Sequence, residues 1–236
     1  MTKISIWGDS VMKGVVYDKT IGRYTYLQDD CITEVTKKFD IVCTNNSKFG
    51  MTAPKAFENL KKWLSKNTEK PDFALIELGG NDSDFDWKSV AEDPDSDHLP
   101  KTPIDEYRKA MTGIIETLRD NSIEPVLVNL HPIDAVRYLD WITKDGISKS
   151  AIMKWLKDVF KIYRFQELYS LTVGKLAQEL NVRFIDLRQA LLNAGNLGDY
   201  LCIDGIHPNE KGHEIMNICL SEYISNYKMS MPVVAV

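Results

Sequence analysis

Gly8-Asp9-Ser10 follows directly on a short apolar run containing Ile4, Ile6 and Trp7. A strand that stops at glycine and then presents a serine holds a hydroxyl at the edge of a sheet. Such a hydroxyl is a poor nucleophile until a base is fixed against it. Asp204 and His207, three residues apart and closed into a turn by Gly205, have the right types for that task. The carboxylate can hold one imidazole nitrogen in place, and the other nitrogen is then free to take the proton from Ser10. Two further apolar runs end in loops that carry Gly50 and Asn81. The backbone N–H groups of Ser10 and Gly50 and the side-chain amide of Asn81 are suitable donors to a developing oxyanion. Gly50 suits the role because a side chain would obstruct close approach of the backbone. Together these residues spell acyl transfer. Each short motif alone also fits an ordinary turn. Asp9 and Asp82 read as structural acids beside the motifs, and His213 as a structural histidine in the last helix.

The elements that must position these residues follow from periodicity. A first strand starts at about residue 3, and an amphipathic helix is expected over 23–38, with Tyr24, Leu27, Cys31 and Val35 on one face. A second strand is expected over 40–44, then a helix capped by Thr52 and carrying Phe57, Leu60 and Leu64. A third strand, 73–78, precedes a segment, 82–97, with seven acids against the single Lys88, which reads as a solvated loop. That loop directly follows Asn81, so it also suits a negatively charged pocket rim that disfavours anionic substrates. Thr102 and Pro103 are expected to start the next helix. A fourth strand, 125–130, ends at His131, which places this histidine near the crevice as a candidate substrate contact.

The stretch 134–164 is longer than neighbouring elements need. It reads as a helical insertion with an apolar face (Ile152, Trp155, Leu156, Val159, Tyr163) and a basic stripe from Lys154 to Arg164. That stripe suits either a solvated surface or contact with a second copy of the chain. Tyr138, Trp141 and Trp155 suit either the core or aromatic contact with a sugar or acyl chain, with Tyr138 and Trp141 the candidate substrate contacts. A further helix to about 180, a fifth strand at 182–187, a short helix and a last helix over 210–227 complete the chain. Five alternations of strand and helix predict an α/β fold with a five-stranded parallel sheet covered on both faces. In such sheets the crevice lies at the carboxyl ends of the strands, near a switch in strand order. No linker or repeat divides the chain, so 1–236 is expected as a single domain.

Composition narrows the function class. The 236 residues are 44% hydrophobic and 27% charged, enough for a full core without disulfides or metals. A net charge of −5 is not the basic footprint of a nucleic-acid surface. Four scattered cysteines have no metal-ligand spacing, and Cys43 and Cys219 read as small core residues. No metal and no cofactor are implied. No apolar run approaches the ~20 residues of a membrane span, and no signal peptide precedes the first strand. The expectation is a soluble, cytoplasmic protein with reduced thiols acting on a small-molecule ester.

Four blocks in fixed order carry a further resemblance. They are Gly8-Asp9-Ser10, Asn45-Asn46-Ser47-Lys48-Phe49-Gly50-Met51-Thr52, Leu78-Gly79-Gly80-Asn81-Asp82 and Asp204-Gly205-Ile206-His207-Pro208-Asn209, the last followed by Lys211-Gly212-His213. Running from residue 8 to residue 213, they resemble the blocks of the SGNH hydrolases of the GDSL esterase/lipase group. Val11 replaces the leucine of the group's name, and 134–164 aligns with no family motif. The resemblance implies a flavodoxin-like three-layer α/β/α sandwich. It also implies a serine esterase with Ser10, Asp204 and His207 as catalytic residues and Ser10, Gly50 and Asn81 as oxyanion donors. Members of the group act on carbohydrate acetyl esters, lysophospholipids, thioesters and aryl esters, and an acyltransferase uses the same chemistry with another acceptor. A non-catalytic binding module would need a broken block, and none is broken. A small acyl ester, acetyl or otherwise short-chain, on a carbohydrate is the expected substrate, with a lysophospholipase or thioesterase as the alternative.

Overall fold

The computed structural model describes the backbone of residues 1–230 and the side chains of residues 1–227. The chain begins with β1 (Lys3–Gly8), then β2 (Val15–Asp18), β3 (Arg23–Tyr26), α1 (Cys31–Phe39), β4 (Val42–Asn45) and α2 (Ala53–Lys66). β5 (Phe73–Glu77), α3 (Trp87–Glu92), α4 (Ile104–Asp120) and β6 (Glu124–Val128) follow. The remainder is α5 (Ala135–Thr143), α6 (Lys149–Leu156), α7 (Lys161–Glu179), β7 (Arg183–Ile185), α8 (Leu187–Asn193) and α9 (Glu210–Ser230).

Five strands form one parallel sheet in the order β4-β1-β5-β6-β7. The chain leaves β1 toward β4 on one side and returns to β5 on the other, so strand order reverses at β1. A crevice therefore opens at its carboxyl end, where Ser10 lies. Neighbouring strand residues point to opposite faces. Trp7 and Leu127 enter a core with residues of α2, α4 and α7, whereas Ile6, Val126 and Val128 enter a second core with α1, α8 and α9. This is the expected three-layer α/β/α arrangement.

A third cluster was not foreseen. Phe85, Trp87, Val90, Ile133, Tyr138, Leu139, Ile152, Leu156 and Ile162 pack together at the carboxyl edge of the sheet. It corrects the reading of 82–97 as a solvated loop, because that segment folds α3 and buries Trp87 and Val90. It also accounts for 134–164: α5 and the start of α7 wall the crevice with α3, and α6 packs against α3 in the cluster behind it. The expected single apolar face of that stretch is split, because α6 ends with Lys157 in the left-handed region (φ 63) and α7 begins at Lys161. The basic stripe is broken with it, Lys154 pairing with Asp95 and Arg164 with Asp158.

Three further expectations change. The stretch 23–38, expected as one helix, begins instead with β3, which pairs antiparallel with β2 in a hairpin, and turns helical only at the shorter α1. Tyr-Thr-Tyr favours an extended strand over a helix, and Gly22 (φ 67) makes the turn. Thr52 stands at the N-cap of α2 but its side chain does not cap it. Asp82 does so from the loop after β5, accepting the Ala53 N–H. Thr102 likewise does not cap α4, whose N-cap is Pro103. Its side chain instead bonds Asp82.

Candidate active site

Ser10 is placed by a tight turn after β1, in which Lys13 N–H donates to Asp9 O and Val15 N–H to Ser10 O. Gly8 is needed for space, since a Cβ there would lie 2.7 Å from Met12 Cβ. The Asp204 turn approaches from the last loop. Asp204 Oδ1 accepts the N–H groups of Ile206 and His207 at 3.0 and 3.1 Å, which sets the turn that the spacing predicted. Gly205 (φ 75) is required there, because a Cβ would meet Asp134 O of the α5 N-terminus at 2.6 Å. Asp134 N–H closes the same contact by donating to Gly205 O at 2.8 Å.

These two turns bring residues 197 positions apart into contact, with His207 Nε2 lying 2.8 Å from Ser10 Oγ. On the other side of the ring, His207 Nδ1 lies 2.6 Å from Asp204 Oδ2. Asp204 is 0% exposed. Its burial favours the neutral acid, but the hydrogen bond and charge of His207 and the two backbone N–H donors outweigh it and hold the carboxyl below its ordinary range. The arrangement can hold an imidazole in one tautomer with its second nitrogen on a serine hydroxyl, the requirement for drawing off a proton.

Asn81 Nδ2 donates to Asp9 Oδ2 at 3.0 Å, and Val11 N–H donates to Asp9 Oδ1 at 2.9 Å. Asp9 thus has the structural role read for it, extended to orienting Asn81. Behind these groups stand the buried carboxyls of Glu77 and Asp82. Burial, then the charges of Asp9 and Asp82, push Glu77 well above the usual carboxylate range, and burial raises Asp82 to about 6.

A cavity of about 270 Å³ adjoins this centre. Its lining brings together Ser10, Asn81, His207, His131, Tyr138 and Trp141 from the predicted set. Gly50 is not among the lining residues; its neighbour Phe49 is. A Cβ at Gly50 would meet no protein atom within 4 Å, and its φ of 70 is a second reason for glycine there. Trp155 packs on Phe85, Trp87 and Phe165 outside the lining. A second, apolar cavity of about 200 Å³ lies at the amino-terminal end of the sheet, between residues such as Ile4, Phe73 and Tyr223, away from Ser10.

His131 Nε2 donates to Ile206 O at 2.6 Å, and burial lowers the ring's pKa to about 4, so this histidine is a neutral brace for the His207 turn. Tyr138 donates its hydroxyl to Asp84 Oδ1 at 2.9 Å, the oxygen that also accepts Trp87 Nε1–H at 2.8 Å. Lys101 Nζ meets Asp84 Oδ2 at 2.8 Å. Asp84 is the acid of the 82–97 segment that lines the cavity near a cation, while Asp82 and Asp86 cap helices and Asp95 pairs with Lys154. The charged-rim reading of that segment is therefore not supported. Trp141 has Lys144 Nζ 3.1 Å above its ring centroid.

Sequence reasoning missed Tyr24 and Phe49. Tyr24 donates to Asp204 Oδ2 at 3.0 Å, and Phe49 stacks on the His207 ring with centroids 6.0 Å apart. The alternating Arg-Tyr-Thr-Tyr run after Gly22 was the available signal for the strand that carries Tyr24.

Among the described residues no group of His, Cys, Asp and Glu is arranged to hold a metal ion, and no helix is long and apolar enough to cross a membrane. Residues 6–215 match the model of the GDSL-like lipase/acylhydrolase family. Among solved structures, the lipase/acylhydrolase from Enterococcus faecalis aligns with a TM-score of 0.64 at 18% identity, over 96% of this chain and 97% of that one. A psychrotrophic esterase from Pseudoalteromonas sp. aligns at 0.63 and 17% identity, over 98% and 100%. A catalytic mutant of an acetylxylan esterase from Geobacillus stearothermophilus aligns at 0.63 and 18%, over 94% of each chain. No curated protein matches the sequence.

Proposed function

Because the chain belongs to the GDSL-like lipase/acylhydrolase family and is a carboxylic ester hydrolase, we propose that it cleaves small acyl esters through an acyl-enzyme on Ser10. The observation that carries this reading is the continuous contact from Ser10 Oγ through His207 to Asp204, at 2.8 and 2.6 Å. Ser10 Oγ attacks the ester carbonyl as its proton passes to His207 Nε2. Asp204 holds the ring's tautomer and stabilises the imidazolium. The oxyanion is met by the Ser10 N–H and the Asn81 amide, with the Gly50 N–H as a third donor from the adjoining loop. His207 then protonates the leaving alcohol. Water, deprotonated by the same nitrogen, releases the acid and restores Ser10.

A short acyl group is favoured by the size and lining of the crevice. Its volume of about 270 Å³ is near the lower end of the range for ligand pockets, about 300–1,000 Å³. Phe85, Trp87, Ile133, Tyr138 and Phe165 wall it with fixed rings and branched chains. An acetylated carbohydrate is the form we favour for the natural ester. The leaving alcohol must sit beside His207, where Trp141 and the exposed Phe49 offer aromatic surface. An acetylxylan esterase is among the proteins that share the fold.

The test is kcat/KM for p-nitrophenyl esters of increasing acyl length. A maximum between acetyl and butyryl is expected. A maximum at about eight carbons or more, a chain that calls for a longer apolar groove, would overturn the short-acyl reading in favour of a lysophospholipase or thioesterase.

A further inference from the structure

We propose that Tyr24 is a positioning residue of the hydrolytic site, its hydroxyl completing a chain Tyr24–Asp204–His207–Ser10 that sets how strongly His207 holds a proton. The proposal rests on the function of Ser10 and His207 given above and adds a residue that lies in none of the four sequence blocks.

Two donors share one oxygen of Asp204. His207 Nδ1 lies 2.6 Å from Oδ2 and Tyr24 Oη lies 3.0 Å from the same atom. The other oxygen, Oδ1, is occupied by the Ile206 and His207 N–H groups. Asp204 therefore accepts four hydrogen bonds with no exposure to solvent. Each donor draws off part of the anionic charge, and the tyrosine's share comes directly at the expense of the imidazole. Burial, then the charge of Asp204, raises the Tyr24 phenol above its ordinary range, so it stays protonated and remains a donor.

The hydroxyl is held in place by its element. The β2–β3 hairpin is a separate two-stranded sheet, with Tyr17 paired opposite Tyr24. Tyr17 N–H donates to Cys202 Sγ at 3.4 Å, a second tie between the hairpin and the Asp204 loop. The Tyr24 ring is wedged between His207, Phe49 and Trp141, with centroids at 5.1, 5.5 and 6.0 Å. If Tyr24 served only to pack, phenylalanine would replace it without effect on chemistry. If the hydroxyl tempers Asp204, its loss strengthens the pull of Asp204 on the imidazolium, and His207 becomes more basic.

The other titratable groups facing His207 do not change with this substitution. They are Asp9 behind Ser10, and His131 and His213, both brought to about 4 by burial and neutral where the enzyme would work. The experiment compares Tyr24→Phe with the full-length parent on p-nitrophenyl acetate. We expect the rate at pH values below the acid limb to fall about 3- to 10-fold with KM little changed, the factor that a limb displaced by half to one unit gives. The acid limb of the kcat profile should move up by about half to one unit. Replacing Tyr24 by a ring-fluorinated tyrosine, whose more acidic hydroxyl donates more strongly, should move that limb down, and it carries the test should Tyr24→Phe fail to fold. The proton resonance of His207 Nδ1 should shift in both variants, a readout that needs no turnover. Wild-type kcat with an unmoved acid limb and resonance would overturn the proposal, as would an effect confined to KM. Failure of the underlying reading is separate: it would appear as hydrolysis surviving Ser10→Ala, whatever Tyr24 does.

Discussion

Asn81 donates its side-chain amide to Asp9 across 3.0 Å, so the loop after β5 is tied to the residue just before Ser10. The bond fixes which end of the amide faces the crevice, because the carboxylate can only accept. One Nδ2 hydrogen is engaged there, and the other is the one the proposed mechanism assigns to the oxyanion. The carboxylate itself is held by Val11 N–H, one residue beyond Ser10. Ser10 and Asn81 thus share one rigid anchor.

Asn81→Ala should therefore lower kcat by about 10²–10³-fold while changing KM little, since its amide is aimed at charge that exists mainly in the transition state. Asp9→Asn, which keeps an oxygen for Val11 but can turn a nitrogen toward Asn81, should cost less, about 10-fold. Steady-state kinetics separate the outcomes. A change in KM alone for Asn81→Ala would make it a contact to bound substrate instead.

Ser10→Ala should abolish ester hydrolysis, a loss on the order of 10³–10⁶ in kcat, with the fold retained. A fluorophosphonate should label Ser10, as read by peptide mass spectrometry. Label at another serine, or more than about a tenth of the parent rate in the variant, would remove Ser10 from its role.

The rate should rise with pH through a single ionisation of His207, because the base must be neutral to accept a proton. Asp204 does not interfere with that limb, since its carboxyl is held below the ordinary range and stays ionised. Nucleophile and base are both side chains in direct contact, so EDTA is expected to leave the rate unchanged. Inactivation by EDTA that a divalent ion reverses would contradict this.

Asp82→Asn should alter how stability responds to acid. Asp82 is 29 positions from the Ala53 N–H it accepts, and burial raises it from 3.8 to about 6. Between those values the folded chain holds a proton that the unfolded chain releases. Its contribution is therefore full below about pH 4 and is lost as pH rises through 6. Glu77 and Asp9, also raised by burial, act in the same direction. In Asp82→Asn the decline of Tm between pH 4 and 6 should be shallower. Asp82→Ala, which removes the cap, should cost about 1–2 kcal/mol at pH 7. An unchanged Tm profile in Asp82→Asn would show that the carboxyl titrates normally.

What the sequence determined by itself was the order of parts. Apolar runs that stop at Gly8, Gly79 and His131 marked strand ends, and the Asp204–Gly205–His207 spacing specified a turn, because these are local features of backbone and side chain. Five strand–helix alternations were enough for the sheet. The tertiary structure alone decided what those parts meet. Arg23–Tyr26 has a pattern that suits either a helix face or a strand, and only pairing with β2 selects the strand and puts Tyr24 on Asp204. The acids of 82–97 looked like solvated charge, yet their partners lie far away in the chain: Ala53 for Asp82, Tyr138 for Asp84 and Lys154 for Asp95. Thr52 and Thr102 looked like caps because cap preference is local, but a buried carboxylate from another loop caps α2 and Pro103 stands at the N-cap of α4. Hydrogen bonds between residues distant in sequence leave no periodicity to read, so the residues that tune the site became visible only once the sheet had brought its loops together.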